Sequence, residues 1–145
     1  MRRNPTVHLD LQPYGARDYF GAELFNKLIQ DLINLLQERN PSWKTKPELK
    51  FEDFSYNQSA EECSTEFIQR VEALAQALFQ SGYERPLIFF LDEIERIQPI
   101  KTDAKERAEE FNAFFGALRA LSQEKRLISF LIADVHPDAS RINQW

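Results

Sequence analysis

The chain has 145 residues, which suits one domain, and its 43% apolar content with 12 phenylalanines supplies a packed core, so wholesale disorder is excluded. Lys plus Arg is 18 against 23 Asp plus Glu, a net charge of −5, which argues against a chain built to coat nucleic acid or an anionic membrane. One cysteine, Cys63, rules out an internal disulfide; with only His8 and His136 beside it, a structural zinc site lacks ligands, and a reducing, cytoplasmic setting is expected.

Thr6-Val7-His8-Leu9 reads as a short strand, and Asp10 to Gly15 as the turn that leaves it. A helix is predicted from about Asp18 to Arg39, with Phe25, Leu28, Ile29, Leu32, Ile33 and Leu36 forming a wide apolar stripe and Asn40-Pro41 stopping it. Residues 41–58 mix two prolines and lysines with Trp43, Phe51, Phe54 and Tyr56, an irregular excursion pinned to the domain by its rings. Ser59 and Glu62 have capping-box spacing and open a second helix with Phe67, Val71, Leu74 and Leu78 on one side, ending near Ser81-Gly82.

Leu87 to Leu91 is the longest purely apolar run, far short of a membrane span, and no signal-peptide-like segment precedes the first strand. An apolar strand without alternation predicts cover on both faces, as in the middle of a parallel α/β sheet. A third helix, about Asp103 to Ser122, places Ala108, Phe111, Phe115, Leu118 and Leu121 at helical spacing; Phe111, Phe114 and Phe115 read as packing. A last strand covers Leu127 to Ala133. The series strand, helix, helix, strand, helix, strand predicts a single α/β domain over residues 1–145, three-layered, with right-handed crossovers over three parallel strands.

The carboxyl ends of those strands carry Asp10, Asp92-Glu93 and Asp134, on the edge where open α/β sheets bind ligands. Converging acids repel unless a cation or hydrogen-bond donors stand among them. Asp92 could hold Mg²⁺ and Glu93 could take a proton from an attacking water; a solvated strand end is the plain alternative. Asp10 is either a second metal ligand or a side chain closing its own turn. Glu95 and Arg96 read as surface groups, Arg141 as a solvated or phosphate-reaching arginine, His136-Pro137 as a turn with a polar contact, and Cys63 as inert.

Arg85-Pro86-Leu87-Ile88-Phe89-Phe90-Leu91-Asp92-Glu93-Ile94 resembles the Walker B strand of P-loop ATPases of the AAA-plus type. More narrowly, the chain from about residue 5 to 145 is similar to the ATPase domain of prokaryotic STAND-type signalling proteins, through Asp10-Leu11-Gln12 at one strand end and Ala133-Asp134-Val135-His136-Pro137 at another. The resemblance implies Mg²⁺ on Asp92 and water polarised by Glu93. It places Asp134 or His136 at the position that senses the γ-phosphate of ATP. An aspartate there departs from the neutral polar residue usual in the family. The larger departure is that Gly15, Gly21, Gly82 and Gly116 are isolated and no G-x-x-x-x-G-K-[ST] is present.

What the resemblance leaves is strands two, three and four of the parent fold, side by side in that order, with the fourth exposing the edge where the phosphate-loop strand belongs. Leu127 to Ala133 is therefore an expected association site for a partner protein or a second copy. Three readings follow: an incomplete ATPase domain with weak or absent nucleotide binding, an interaction module that keeps the scaffold, and a Mg²⁺-dependent phosphohydrolase or nuclease using the acidic strand ends.

Overall fold

The computed structural model describes residues 3–15, 20–45, 50–55, 57–99 and 105–133. In chain order they form β1 (Thr6–Asp10), α1 (Gly21–Arg39), α2 (Ala60–Gln80), β2 (Leu87–Asp92), α3 (Lys105–Arg119) and β3 (Ile128–Ala133). Short 3-10 turns occupy Gln12–Tyr14, Pro41–Thr45 and Ile94–Arg96, and a wider π-type turn at Ala120–Glu124 closes α3. The three strands are parallel and lie in the order β1-β2-β3. The expected α/β class is what forms: a three-stranded parallel sheet packed against helices, with its strands in chain order.

Register fixes which residues share a face. Thr6 stands beside Ile88 and Ser129, His8 beside Phe90 and Leu131, Asp10 beside Asp92 and Ala133. The alternate set, Val7, Leu9, Leu87, Phe89 and Leu91, is buried under the helices, which pack on one another: α1 on α2, α2 on α3, and α1 on α3. On the other face Thr6 and His8 are exposed, Ile88 and Phe90 half-buried, and Leu131 is 51% exposed. The apolar run Leu87–Leu91 predicted full cover on both faces; β2 is instead fully buried on one and partly on the other. Strands laid side by side in chain order explain this, because crossovers of one hand then all fall on one side.

The helices end where local chemistry ends them. Asn40 is already extended, held by its N–H to the Leu36 carbonyl, and Pro41 cannot continue α1. Ser59 Oγ accepts the Glu62 N–H at 3.1 Å and opens α2, as the capping spacing predicts. At the far end Gly82 takes φ +110°, a conformation closed to other residues without strain. Within the described residues α1 begins at Gly21 rather than near Asp18, and Phe20 before it provides no side-chain cap. The excursion after α1 is pinned by its rings as expected: Trp43 and Phe51 are half-buried and Phe54 is buried, while Tyr56 lies outside the described residues. Two polar side chains complete the attachment. Asn26 donates to the Phe54 carbonyl at 3.1 Å and accepts its N–H at 2.8 Å, and Arg70 lies 4.0 Å above the Phe54 ring and 5.0 Å from that of Phe51.

Candidate functional site at the carboxyl edge of the sheet

The register row Asp10, Asp92, Ala133 is the last of the sheet, so the first two acids stand side by side at its carboxyl edge. Asp10 is exposed, and its Oδ1 accepts the Gln12 N–H at 3.0 Å. That closes the turn at Gln12–Tyr14, the local role that was the alternative to metal binding. Asp92 is half-buried, and its carbonyl accepts the Leu11 N–H at 3.0 Å, which carries the β1–β2 ladder one residue past the strands.

Glu93 leaves the strand with φ 60° and ψ 47°. A left-handed backbone at a non-glycine residue costs about 1 kcal/mol or more and turns the chain sharply out of the sheet. Its N–H still bonds the Ala133 carbonyl at 3.2 Å, and its Oε2 pairs with Arg96 Nε at 3.3 Å. The Arg96 carbonyl in turn accepts from Arg107, a buried arginine of α3 whose guanidinium lies 5.4 Å from the Phe20 ring.

One turn further along α3, Glu110 is buried, and its carboxylate accepts the N–H of Gly21. It supplies from another helix the cap that Phe20 cannot. A Cβ on Gly21 would stand 2.3 Å from Glu110 Oε2, so glycine is what admits the carboxylate. Burial pushes the Glu110 carboxyl above its usual range, the Gly21 N–H pulls it partly back, and neighbouring Glu109 adds to the rise. Arg107 and Glu110 thus strut the floor of the acidic edge, tying the turn after β2 to the start of α1. The sequence reading passed over both; the signal for them is a charged pair three apart on the apolar side of α3.

Among the described residues no three His, Cys, Asp or Glu side chains converge to hold a cation. Asp10, Asp92 and Glu93 are brought to one edge but are engaged in local bonds or held by their strand. Asp134, His136 and Arg141, expected near a phosphate, lie outside the described residues. Cys63 is buried beneath the α2 N-terminus with Sγ 3.9 Å from the Ser55 carbonyl, and burial raises its thiol pKa, the condition of an unreactive cysteine. No described helix is long and apolar enough to cross a membrane. No protein-family model, curated protein or solved structure matches the chain.

Proposed function

We propose that the chain is an incomplete P-loop ATPase-like domain of the AAA-plus, STAND-type kind, which keeps a Walker B-like acidic tip and by itself hydrolyses little or no ATP. The observation that carries the reading is the position of Asp92-Glu93 at the tip of the central strand of a parallel sheet ordered β1-β2-β3, with Asp10 in the same row. The carboxylates are hard oxygen donors of the kind Mg²⁺ accepts, so the residues present fit that ion. Asp92, with Asp10 beside it, would hold it, and bound there it would neutralise phosphate charge. Glu93 would orient water only after giving up its ion pair with Arg96. No run of backbone N–H groups with a following lysine is present in the sequence to wrap a triphosphate, which is why turnover by this chain alone is not expected.

Calorimetric titration with ATP and ADP, with and without Mg²⁺, and with Mg²⁺ alone, tests this. Nucleotide binding weaker than millimolar is the expected result. Micromolar ATP binding overturns the incomplete-site reading, and tight Mg²⁺ or Mn²⁺ binding without nucleotide favours instead a hydrolase built on the acidic strand ends.

A second reading is favoured by β3 itself. It is an edge strand with no charged residue between Leu127 and Ala133 and with Leu131 half exposed, so a protein-interaction module working through that edge is supported alongside the remnant chemistry.

A further inference from the structure

The backbone phase of β3 is fixed by its bonds to β2. Leu87 N–H donates to the Leu127 carbonyl at 3.0 Å and Glu93 N–H to the Ala133 carbonyl at 3.2 Å, while the facing Cα partners are Leu87–Ile128 and Asp92–Ala133. In a parallel ladder that phase turns the C=O of Leu127 and the N–H and C=O of residues 129, 131 and 133 toward β2, while the Leu127 N–H donates to the Leu121 carbonyl at 2.9 Å. The same groups of Ile128, Phe130 and Ile132 point away from the sheet, and among the described residues no strand pairs there.

We infer that a second copy of this chain covers this edge, with β3 antiparallel to β3 about a two-fold axis through the Phe130 pair. The inference rests on the second reading above, in which the β3 edge is the interaction surface, and does not depend on nucleotide.

The make-up of the edge favours a second copy. The outward row is the same read from either end, Ile128, Phe130, Ile132, so a two-fold places Phe130 opposite Phe130 and each isoleucine opposite an isoleucine. All three N–H and all three C=O groups of each copy then find partners, closing six bonds and leaving none over. Ser129 falls opposite Leu131, so the exposed leucine meets a small, uncharged side chain that leaves room for it. Leu127 to Ala133 contains no charge, no proline and no bulge, so neither like-charge repulsion nor any of the usual edge-blocking devices opposes the pairing. β1, the other edge, carries His8 and Asp10 in its outward row instead. Because one strand pair buries much less than the roughly 1,600 Å² of a standard interface, the dimer is reversible and concentration-dependent.

Sedimentation equilibrium of the whole chain from low micromolar to near-millimolar concentration is expected to show monomer and dimer and no larger species. Ile132→Pro removes an N–H that bonds nothing in its own sheet, so it should weaken dimerisation about tenfold or more while leaving the circular dichroism unchanged. The register is read by cysteine pairing in a Cys63→Ala background. Non-hydrogen-bonded antiparallel partners have Cα atoms about 4.5 Å apart, close enough for a disulfide. An oxidised mixture of S129C and L131C chains should therefore cross-link, while each alone should not. Cross-linking of either variant alone to the same extent overturns the register. A chain that is monomeric throughout overturns the second copy. If the Ile128, Phe130 and Ile132 amides of that monomer exchange freely, the edge is open and the interaction reading survives; if they are protected, both fall.

Discussion

Glu93 sits where the strand stops behaving as a strand, and its left-handed backbone is a cost the local sequence does not explain. Glycine adopts that conformation freely, and the ion pair it would lose, Glu93 to Arg96, is half exposed at the arginine and contributes at most a few tenths of a kcal/mol. Glu93→Gly should therefore leave stability unchanged or raise it by up to about 1 kcal/mol in denaturant unfolding. A clear loss would mean the carboxylate makes a contact that holds the turn. Glu110 behaves oppositely, because its cost is electrostatic. Its carboxyl is pushed above the reference 4.5 by burial, so the folded chain holds that proton more tightly than the unfolded one. By linkage, the stability it lends is fully present below the ordinary carboxylate pKa and is lost as pH rises through the raised value. Glu66, lowered by its hydrogen bond from Arg70, has the reverse slope and loses its contribution as pH falls. The difference between wild type and Glu110→Gln isolates the first effect: the variant should gain on wild type as pH climbs from about 4.5, then run parallel. A gap that instead widens on acidification would contradict the assignment.

At the scale of elements, the excursion between α1 and α2 is held by its rings, by Asn26 and by one cation lying on two of those rings. Arg70 is buried along α2, covers Phe54 and Phe51, and pairs with the more exposed Glu66 at 2.8 Å. Arg70→Ala removes both ring contacts and strands no buried charge, so a loss of about 1–2 kcal/mol is expected, with residues 50–55 the first to gain amide exchange. Arg70→Lys should recover little, since a lysine ammonium cannot lie flat on two rings. This element also marks how far the sequence could be read. The stripe on α1, the Ser59 cap, the Asn40-Pro41 stop and the apolar β2 are local patterns, visible because spacing alone creates them. The aromatic pinning was legible from ring density in the segment. Its polar partners Asn26 and Arg70 were not, because nothing in their own neighbourhood marks an asparagine or arginine as inward-facing. Arg107 and Glu110 carry a signal, their spacing of three on the apolar side of α3, whereas no turn residue announces the backbone of Glu93. The uneven cover of the sheet was available in principle from strand order and crossover hand, but the unbroken run Leu87–Leu91 pointed the other way. At the candidate site, the pairing of Asp10 with Asp92 at the strand ends and the turn that Asp10 closes were legible, whereas the bond of Glu93 to Arg96 depends on a turn whose geometry composition does not specify.

Across the whole molecule the three helices and the excursion meet at one ring. Phe25 stacks on Phe67 with centroids 4.3 Å apart, meets Phe54 edge-on at 5.8 Å and lies 5.9 Å from Phe114, so it joins α1 to α2, α3 and the segment before α2. Among the described residues the buried side chains form one continuous cluster from Val7 to Ile128, with no second core that could survive the loss of the first. Truncating Phe25 to alanine should cost about 3–5 kcal/mol, a large share of the roughly 5–15 kcal/mol that holds a domain of this size. The gentler Phe25→Leu keeps the chain folded for measurement. In that variant the urea midpoint read by far-UV circular dichroism and that read by Trp43 fluorescence, with Trp145 replaced by phenylalanine, should fall together. Trp43 reports the 3-10 turn after α1 while the dichroism reports all the helices. Coincident shifts therefore mean that the sheet, the helices and the excursion unfold as one unit around this ring. If the Trp43 transition moved alone, the excursion would be an appendage with its own stability, and the acidic edge would rest on a smaller core than the aromatic contacts imply.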